Sequence, residues 1–432
     1  MDQEIELIGP KAATLKAKRG FRSRTERRVL RRFARQLEGV ALIERLGEQP
    51  LDPPLHHRDH ELASDTHPVS VWILDARAYS CVARGGSSGL GEAYFRGWWD
   101  SDDVVAALRA MIRAQAELDE RRNRIHHRFR PLFDPIRKLR RSDKHRDRKN
   151  VRAHYDLSNE FFELFLDETM TYSSGVFESG DTKLADASRA KIDRLCEKLG
   201  VTSATSLLEI GTGWGSFAIR AAGTHGASVT TTTISANQAA LARERIANEG
   251  LSNRIDLREE DYRDLDGHYD RLVSVEMIEA VDWRDVPIFF ATCSKLLKPD
   301  GLMGLQAIVV ADQRYHRVRA TTDFITDWIF PGGSLPSISS IASDVAENTD
   351  MRIIDLEDIG LHYAETLWRW RRRLHRKWNE LASLGLSQEM ARLWDFYLAY
   401  CEAGFRERHV SVVQIILAKP QWRQASLSTR RH

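Results

Sequence analysis

The stretch TSLLEIGTGWGSFAIRAA, Thr205–Ala222, decides the fold. A short apolar run, Thr205 to Ile210, reads as a strand; Gly211, Gly213 and Gly215 follow at every second position, and apolar spacing to Ala222 then reads as a helix. Glycines between a strand and a helix permit a tight turn and let a bound nucleoside approach the backbone closely. The pattern repeats downstream. Ser228–Thr233 is a predicted strand and Ala236–Asn248 a helix, and Arg254–Leu257, Arg271–Val275 and Leu302–Val309 are further strands separated by helical stretches. Such alternation predicts an α/β fold with a parallel sheet wound in βαβ units. Met351–Glu357, helices from Tyr363 to Leu384 and on to about Arg408, and a closing strand Val410–Ala418 complete it. Between them, about 311–350, lies an aromatic, Gly- and Pro-containing segment (DFITDWIFPGGSLPS), expected to be a capping insertion beside the strand ends.

Upstream the character differs. Of a formal net charge of +2, the windows Lys11–Arg35 and Arg121–Arg152 carry +10 and +11, so the rest of the chain carries −19. Both windows interleave bases with large apolar side chains, the composition an anionic membrane surface attracts; RNA would be attracted too, and a solvated helix face followed by a charged linker is the other reading. A helix is predicted from Thr25 to about Leu46, strands at Val69–Leu74 and Tyr79–Ala83, a glycine-rich turn through GGSSGLGEAYFRGWW, and a helix at Asp102–Ala116. These readings divide the chain into a basic, lipid-engaging domain, 1–148, and a second domain, 149–432. With 42% apolar and 29% charged residues the 432-residue chain is of ordinary globular composition. No run approaches the ~20 apolar residues of a membrane span. Four scattered cysteines without CxxC spacing suggest neither a disulfide framework nor a metal site, and a reducing cytoplasm is expected.

Glu209-Ile-Gly211-Thr-Gly213-Trp-Gly215 resembles the nucleoside loop of Rossmann-like S-adenosylmethionine methyltransferases more than a dinucleotide fingerprint. An acid usual at the end of the second strand for the ribose hydroxyls is missing, so Thr233 or Gln238 must serve. Asp261 and Tyr262 are expected beside the adenine. Seven segments, in order HYDLSNEFFELFLDETMTYSSGVF (154–177), LLEIGTGWG, TTISANQ, EDYRDL, SVEMIEAV, FPGGSLPS and CEAGFRER, resemble the cyclopropane-fatty-acyl-phospholipid synthase family. The upstream GLGEAYFRGWW resembles the extra domain of its phospholipid-acting members.

That resemblance implies a seven-stranded methyltransferase sheet and C-methylation of a cis double bond in a phospholipid acyl chain through a carbocation. The product is then a cyclopropane or a methylene branch. Residue by residue, Tyr172 and Ser173 match contacts to the methionine part of the cofactor. In the better-known bacterial members a glutamate, a histidine and a tyrosine beside a cysteine hold a bicarbonate base. Here Glu279 and Tyr363 match, while Ser174 stands for the cysteine and Gln306 for the histidine. Glu276 adds a carboxylate where those enzymes have glycine, so Glu276 or Glu279 is expected to share or take over the base role, with bicarbonate optional. Phe324, Trp328, Phe330, Trp368, Trp370 and Phe405 are candidate lining residues for an apolar tunnel. The changed positions lean toward the actinobacterial branch that makes 10-methylene (tuberculostearic) chains with a separate reductase. The enzyme is then expected on the inner face of the membrane, as a peripheral protein. Two other readings compete: a methyltransferase of RNA or protein nitrogen, and a non-catalytic lipid-binding protein. Against the first, SVEMIEAV has no amide or proline where amino-methylating enzymes carry an NPPY-like loop, and no nucleic-acid partner is expected.

Overall fold

The computed structural model describes residues 26–28, 31, 37–54, 68–126 and 157–423. Most of the two basic windows, and the start of the 154–177 motif, lie outside the described residues. Two compact units emerge. One holds the described residues before 127 together with Ala320–Pro331 and Leu367–Glu407; the other holds the remainder. This partition differs from a single cut near 148, because the helices of 367–407 are joined to the N-terminal segment by packing and not by chain order.

In the first unit, β1 (Val40–Glu44) runs parallel to β2 (Val69–Ile73), which pairs antiparallel with β3 (Trp99–Ser101). Two expectations are corrected here. Val40–Glu44, assigned to the end of a helix, is a strand, because its backbone is taken up by Val69–Ile73. Tyr79–Ala83 and the glycine-rich turn are instead one helix, Arg77–Phe95, bent at Gly86, whose φ is 56°. The glycines serve packing: a Cβ on Gly91 would lie 2.1 Å from the Phe324 ring, and one on Gly89 2.1 Å from the Cys81 carbonyl oxygen. A backbone pressed that close tolerates only glycine, and the same letters in isolation read as a turn.

The interior of this unit is ionic as well as aromatic. Asp395, fully buried, accepts hydrogen bonds from the Tyr94 hydroxyl (2.7 Å) and Arg371 Nε (2.6 Å), and its other neighbour is His375 Nε2 at 2.5 Å. Arg371 and His375 hold its carboxyl far below the usual carboxylate range despite burial. Nearby, Arg392 pairs with Asp100 at 3.3 Å.

In the second unit, seven strands are ordered β6-β5-β4-β7-β8-β10-β9. They are β4 (Ser206–Ile210), β5 (Ser228–Thr232), β6 (Ile255–Arg258), β7 (Tyr269–Val275), β8 (Leu297–Val310), β9 (Arg352–Asp358) and β10 (Val410–Ala418). The first five are parallel to their neighbours; β10 enters antiparallel between β8 and β9. Side chains alternate between two cores, one on each face. Leu208, Leu272 and Met303 belong to one with Phe289 and Phe290; Leu207, Val273 and Leu302 belong to the other with Leu195 and Phe217. Within the expected capping insertion, Ile338–Asn348 instead covers the sheet, its Ile341 and Val345 buried in the first core. Strand order reverses between β4 and β7, and the carboxyl ends there open the crevice in which doubly wound sheets bind ligands. Among the described residues no helix is long and apolar enough to cross a membrane.

Asp395→Ala leaves the Arg371 charge buried without its partner and should lower unfolding free energy by ~3–5 kcal/mol. Denaturant melts of the purified variant measure it, and an unchanged midpoint would contradict this account of the first unit's interior.

Candidate functional site at the carboxyl ends of β4, β5 and β7

A cavity of about 210 Å³ opens at the switch point. Of the residues expected at the cofactor, Tyr172, Ser173, Glu209, Gly211, Gly213, Thr233, Gln238, Asp261 and Tyr262 all line it. Gly215 does not; it starts the helix Ser216–His225 with a φ of 87°. The loop is held open from beneath. Gly211, at φ 96°, lies so near Met277 that a Cβ would come within 2.9 Å of its Cγ, whereas beside Gly213 there is open space.

The segment above the loop is anchored by Ser216 Oγ and Arg245 Nη2, which donate to the Thr169 carbonyl at 2.6 and 2.8 Å. Trp214, from the loop itself, donates to Asn159 at 2.9 Å and packs its ring 4.9 Å from Phe162. Phe162 in turn meets the Tyr172 ring at 5.5 Å. An aromatic layer thus fixes the Tyr172–Ser173 backbone.

Glu209 is buried, and burial pushes its carboxyl up to about 7, against a 2.6 Å hydrogen bond donated by the Thr231 hydroxyl. Thr231 is its register partner on β5. Thr233 donates to Gln238 at 3.0 Å, giving the wall a fixed pair of polar groups. Asp261 accepts from Arg263 Nε and Nη2, both at 2.8 Å. The Tyr262 hydroxyl is buried with no partner among the described residues. These features suit S-adenosylmethionine: a loop that admits a nucleoside, a buried hydroxyl awaiting a partner, and carboxylates that oppose a sulfonium charge.

The inner end of the cavity is Glu276, at the end of β7. It has a φ of 49°, in the left-handed region that side chains rarely occupy. Its Oε1 accepts from the Ser174 amide at 2.9 Å and from Gln306 Nε2 at 2.7 Å, and the Tyr363 hydroxyl also bonds the carboxylate. Gln306 is oriented by Gln414 Nε2, which donates to its Oε1 at 3.0 Å across the β8–β10 pair. Four of the five residues singled out as catalytic are therefore one cluster: Glu276, Ser174, Gln306 and Tyr363. Ser174 acts through its amide, since its hydroxyl is turned to the Gly175 carbonyl.

Glu279 stands apart. It accepts from the Ile308 amide, its second oxygen is buried without a partner among the described residues, and burial together with Glu276 pushes its carboxyl up to about 8. Donors surround Glu276 and almost none reach Glu279, which favours the uncharged form at Glu279. Burial raises Glu276 as well, but Lys191 opposes the rise more than any other group.

Lys191 was not found from the sequence. It is 2% exposed, lines the cavity and donates to Ser173 Oγ at 2.8 Å. A signal existed: in Leu184–Leu199 the buried stripe runs Ala187, Ser188, Lys191, Ile192, Leu195, placing a lysine in the apolar register. The six candidate tunnel aromatics do not line this cavity. They belong to the first unit, where Phe324 packs 4.8 Å from Phe396 and Trp328 donates to Ser88 at 3.0 Å.

Comparison with known proteins identifies the family. Residues 142–415 match the family model described as mycolic acid cyclopropane synthetase. A tuberculostearic acid methyltransferase of Mycobacterium tuberculosis is 42% identical over 368 residues, 83% of this chain and 85% of that one. The cyclopropane-fatty-acyl-phospholipid synthase of Escherichia coli K12 is 33% identical over 354 residues, 82% of this chain and 88% of that one. A crystal structure of a mycolic acid cyclopropane synthase complexed with SAH and CTAB superposes with a TM-score of 0.59 at 33% identity, covering 63% of this chain and 98% of that one. The chain belongs to the mycolic acid cyclopropane synthetase family and is an S-adenosylmethionine-dependent methyltransferase.

Proposed function

We propose that the chain methylates a carbon of a cis double bond in an unsaturated acyl chain of a phospholipid, and that Glu276 accepts the proton the product must lose. The observation that carries this reading is the Glu276 carboxylate itself. It lines the cofactor cavity and is gripped by the Ser174 amide, Gln306 and Tyr363, an arrangement that holds a base in place.

S-adenosylmethionine supplies an activated methyl group on a positively charged sulfur. The π pair of the alkene forms the new carbon–carbon bond and leaves a cation on the neighbouring carbon of the lipid. Proton loss from the added methyl with ring closure gives a cyclopropane. A hydride shift followed by loss of the same proton gives a methylene branch. In either case Glu276 must be ionised, and its three donors stabilise that form. Those donors include the groups expected to hold bicarbonate, and with a carboxylate already on them no external ion is required. Glu279, uncharged, adds no competing anion.

The relatives support the substrate. One is named for tuberculostearic acid, and the phospholipid-acting synthase matches the chain well upstream of the region shared with the mycolic acid enzyme. The first of these favours the methylene branch, with a separate reductase completing a methyl group. The two basic windows favour an anionic membrane surface as the place of work.

The test is incubation with methyl-labelled S-adenosylmethionine and dioleoylphosphatidylglycerol vesicles. Label is expected in the acyl chain, in a product that takes up hydrogen under mild catalytic hydrogenation as a methylene group does; lipid left unlabelled would overturn the reading. Glu276→Gln should lower turnover by ~10²–10⁴-fold. Its cofactor affinity should stay nearly unchanged, and the wild type should run equally well in bicarbonate-free buffer. Binding to the same vesicles should weaken steeply as salt rises from ~0.01 to ~0.5 M, as sedimentation would show.

A further inference from the structure

The methyl-transfer cavity contains one group that the proposed chemistry leaves unexplained. Lys191 is an ammonium on the floor of a site built to receive a second cation, the sulfonium, and that juxtaposition is unfavourable unless the ammonium serves something else. Lys191 shares the cavity wall with Glu276 and Glu209, and it holds Ser173, whose neighbour Ser174 donates its amide to Glu276; the charges of Glu276, Glu209 and Asp167, the last from the segment before Thr169, act on the lysine. Asp167 is already bonded by Thr169 and by Ser188 Oγ at 2.9 Å, and Glu209 by Thr231. Glu276 is the carboxylate on which the lysine's charge acts most strongly. The other titratable groups facing Glu276 are Glu279, whose effect is repulsive, and Tyr363, a neutral donor.

We propose that Lys191 is a positioning residue that keeps Glu276 in its charged, proton-accepting form and at the same time pins Ser173 to the cavity wall. This rests on the reading of Glu276 as the proton acceptor. The titration of the lysine agrees: burial pulls it down to about 8, and these carboxylates resist that fall. The ammonium therefore persists across the neutral range, where a carboxylate near an apolar acyl chain would otherwise pick up a proton. In the reverse direction, Lys191 is the largest influence opposing the rise of Glu276. Loss of the cation stabilises the protonated acid, so the pH at which Glu276 ionises moves up, and turnover, which needs the anion, moves with it.

Two neutral variants separate charge from packing: Lys191→Gln keeps a donor for Ser173, and Lys191→Met keeps only the chain length. Lys191→Arg keeps the charge. The first readout is the ligand-free protein, with glutamate labelled at the side-chain carboxyl carbon and the Glu276 resonance assigned by its loss in Glu276→Gln. The second is the acid limb of kcat/KM. In both neutral variants the Glu276 midpoint and the acid limb should rise by about one pH unit or more, a tenfold or greater fall in the ionised fraction below the midpoint. Rate should recover at higher pH, and Lys191→Arg should keep the wild-type midpoint. Midpoints that stay where they are in the neutral variants, with activity lowered equally at every pH, would overturn the proposal. If neither neutral variant folds, the wild-type titration decides: Lys191 must keep its proton while Glu276 loses its own, and the opposite order overturns the idea. Should Glu276→Gln turn over normally, the base assignment fails, while the carbon titration still reports whether lysine and glutamate are coupled.

Discussion

The site is organised around one carboxyl group kept where water is scarce. Glu276 sits at the end of β7 with donors from three directions: the Ser174 amide, the Gln306 amide nitrogen and the Tyr363 hydroxyl. Each comes from a different part of the second unit, so the carboxylate is also what those parts have in common. Ionisation is unfavourable in a poorly hydrated site unless each oxygen is paired. The hydrogen bonds meet that cost locally, and the cation of Lys191 reinforces them through space.

The backbone makes its own contribution to that arrangement. Glu276 adopts a conformation costing ~1–2 kcal/mol for any residue with a Cβ. Strain of this kind persists only where the surroundings hold it, and here the Glu276 amide donates to the Gln306 carbonyl at 2.8 Å. Gln306 thus binds the same residue twice, by main chain and by side chain. Its own orientation is fixed by Gln414, so the polar chain runs from the cavity into the middle of the sheet.

Much of this was legible in the sequence, and what was missed has a common cause. The parallel strands and the glycine loop were readable because their signals are local: strand period, glycine spacing, helix onset. The cofactor-side residues that line the cavity were found partly from the strand ends, as Glu209, Gly211, Thr233 and Asp261 were, and partly from the family resemblance, as Tyr172 and Ser173 were, since these two lie in an irregular segment that no periodicity marks. Lys191 and Gln414 escaped because each is a polar residue in an apolar register, and its meaning comes from a partner far away in the chain. Tyr79–Ala83 misled for the same reason: the glycines after it look like a turn until the Phe324 ring that presses on Gly91 is known. At the ribose position, where the usual acid is missing, the structure places Thr233 and Gln238 on the cavity wall, bonded to each other.

The placement of β10 has a consequence for how the protein comes into being. This strand, Val410–Ala418, lies between β8 and β9, although it is made after both. Until the ribosome has released residue 418, β8 is a bare margin and the Gln306 side chain lacks the neighbour that turns its nitrogen toward Glu276. The crevice walls at β4, β5 and β7 are made of chain that precedes β10, whereas the orientation of Gln306 toward Glu276 waits for residues 410–418.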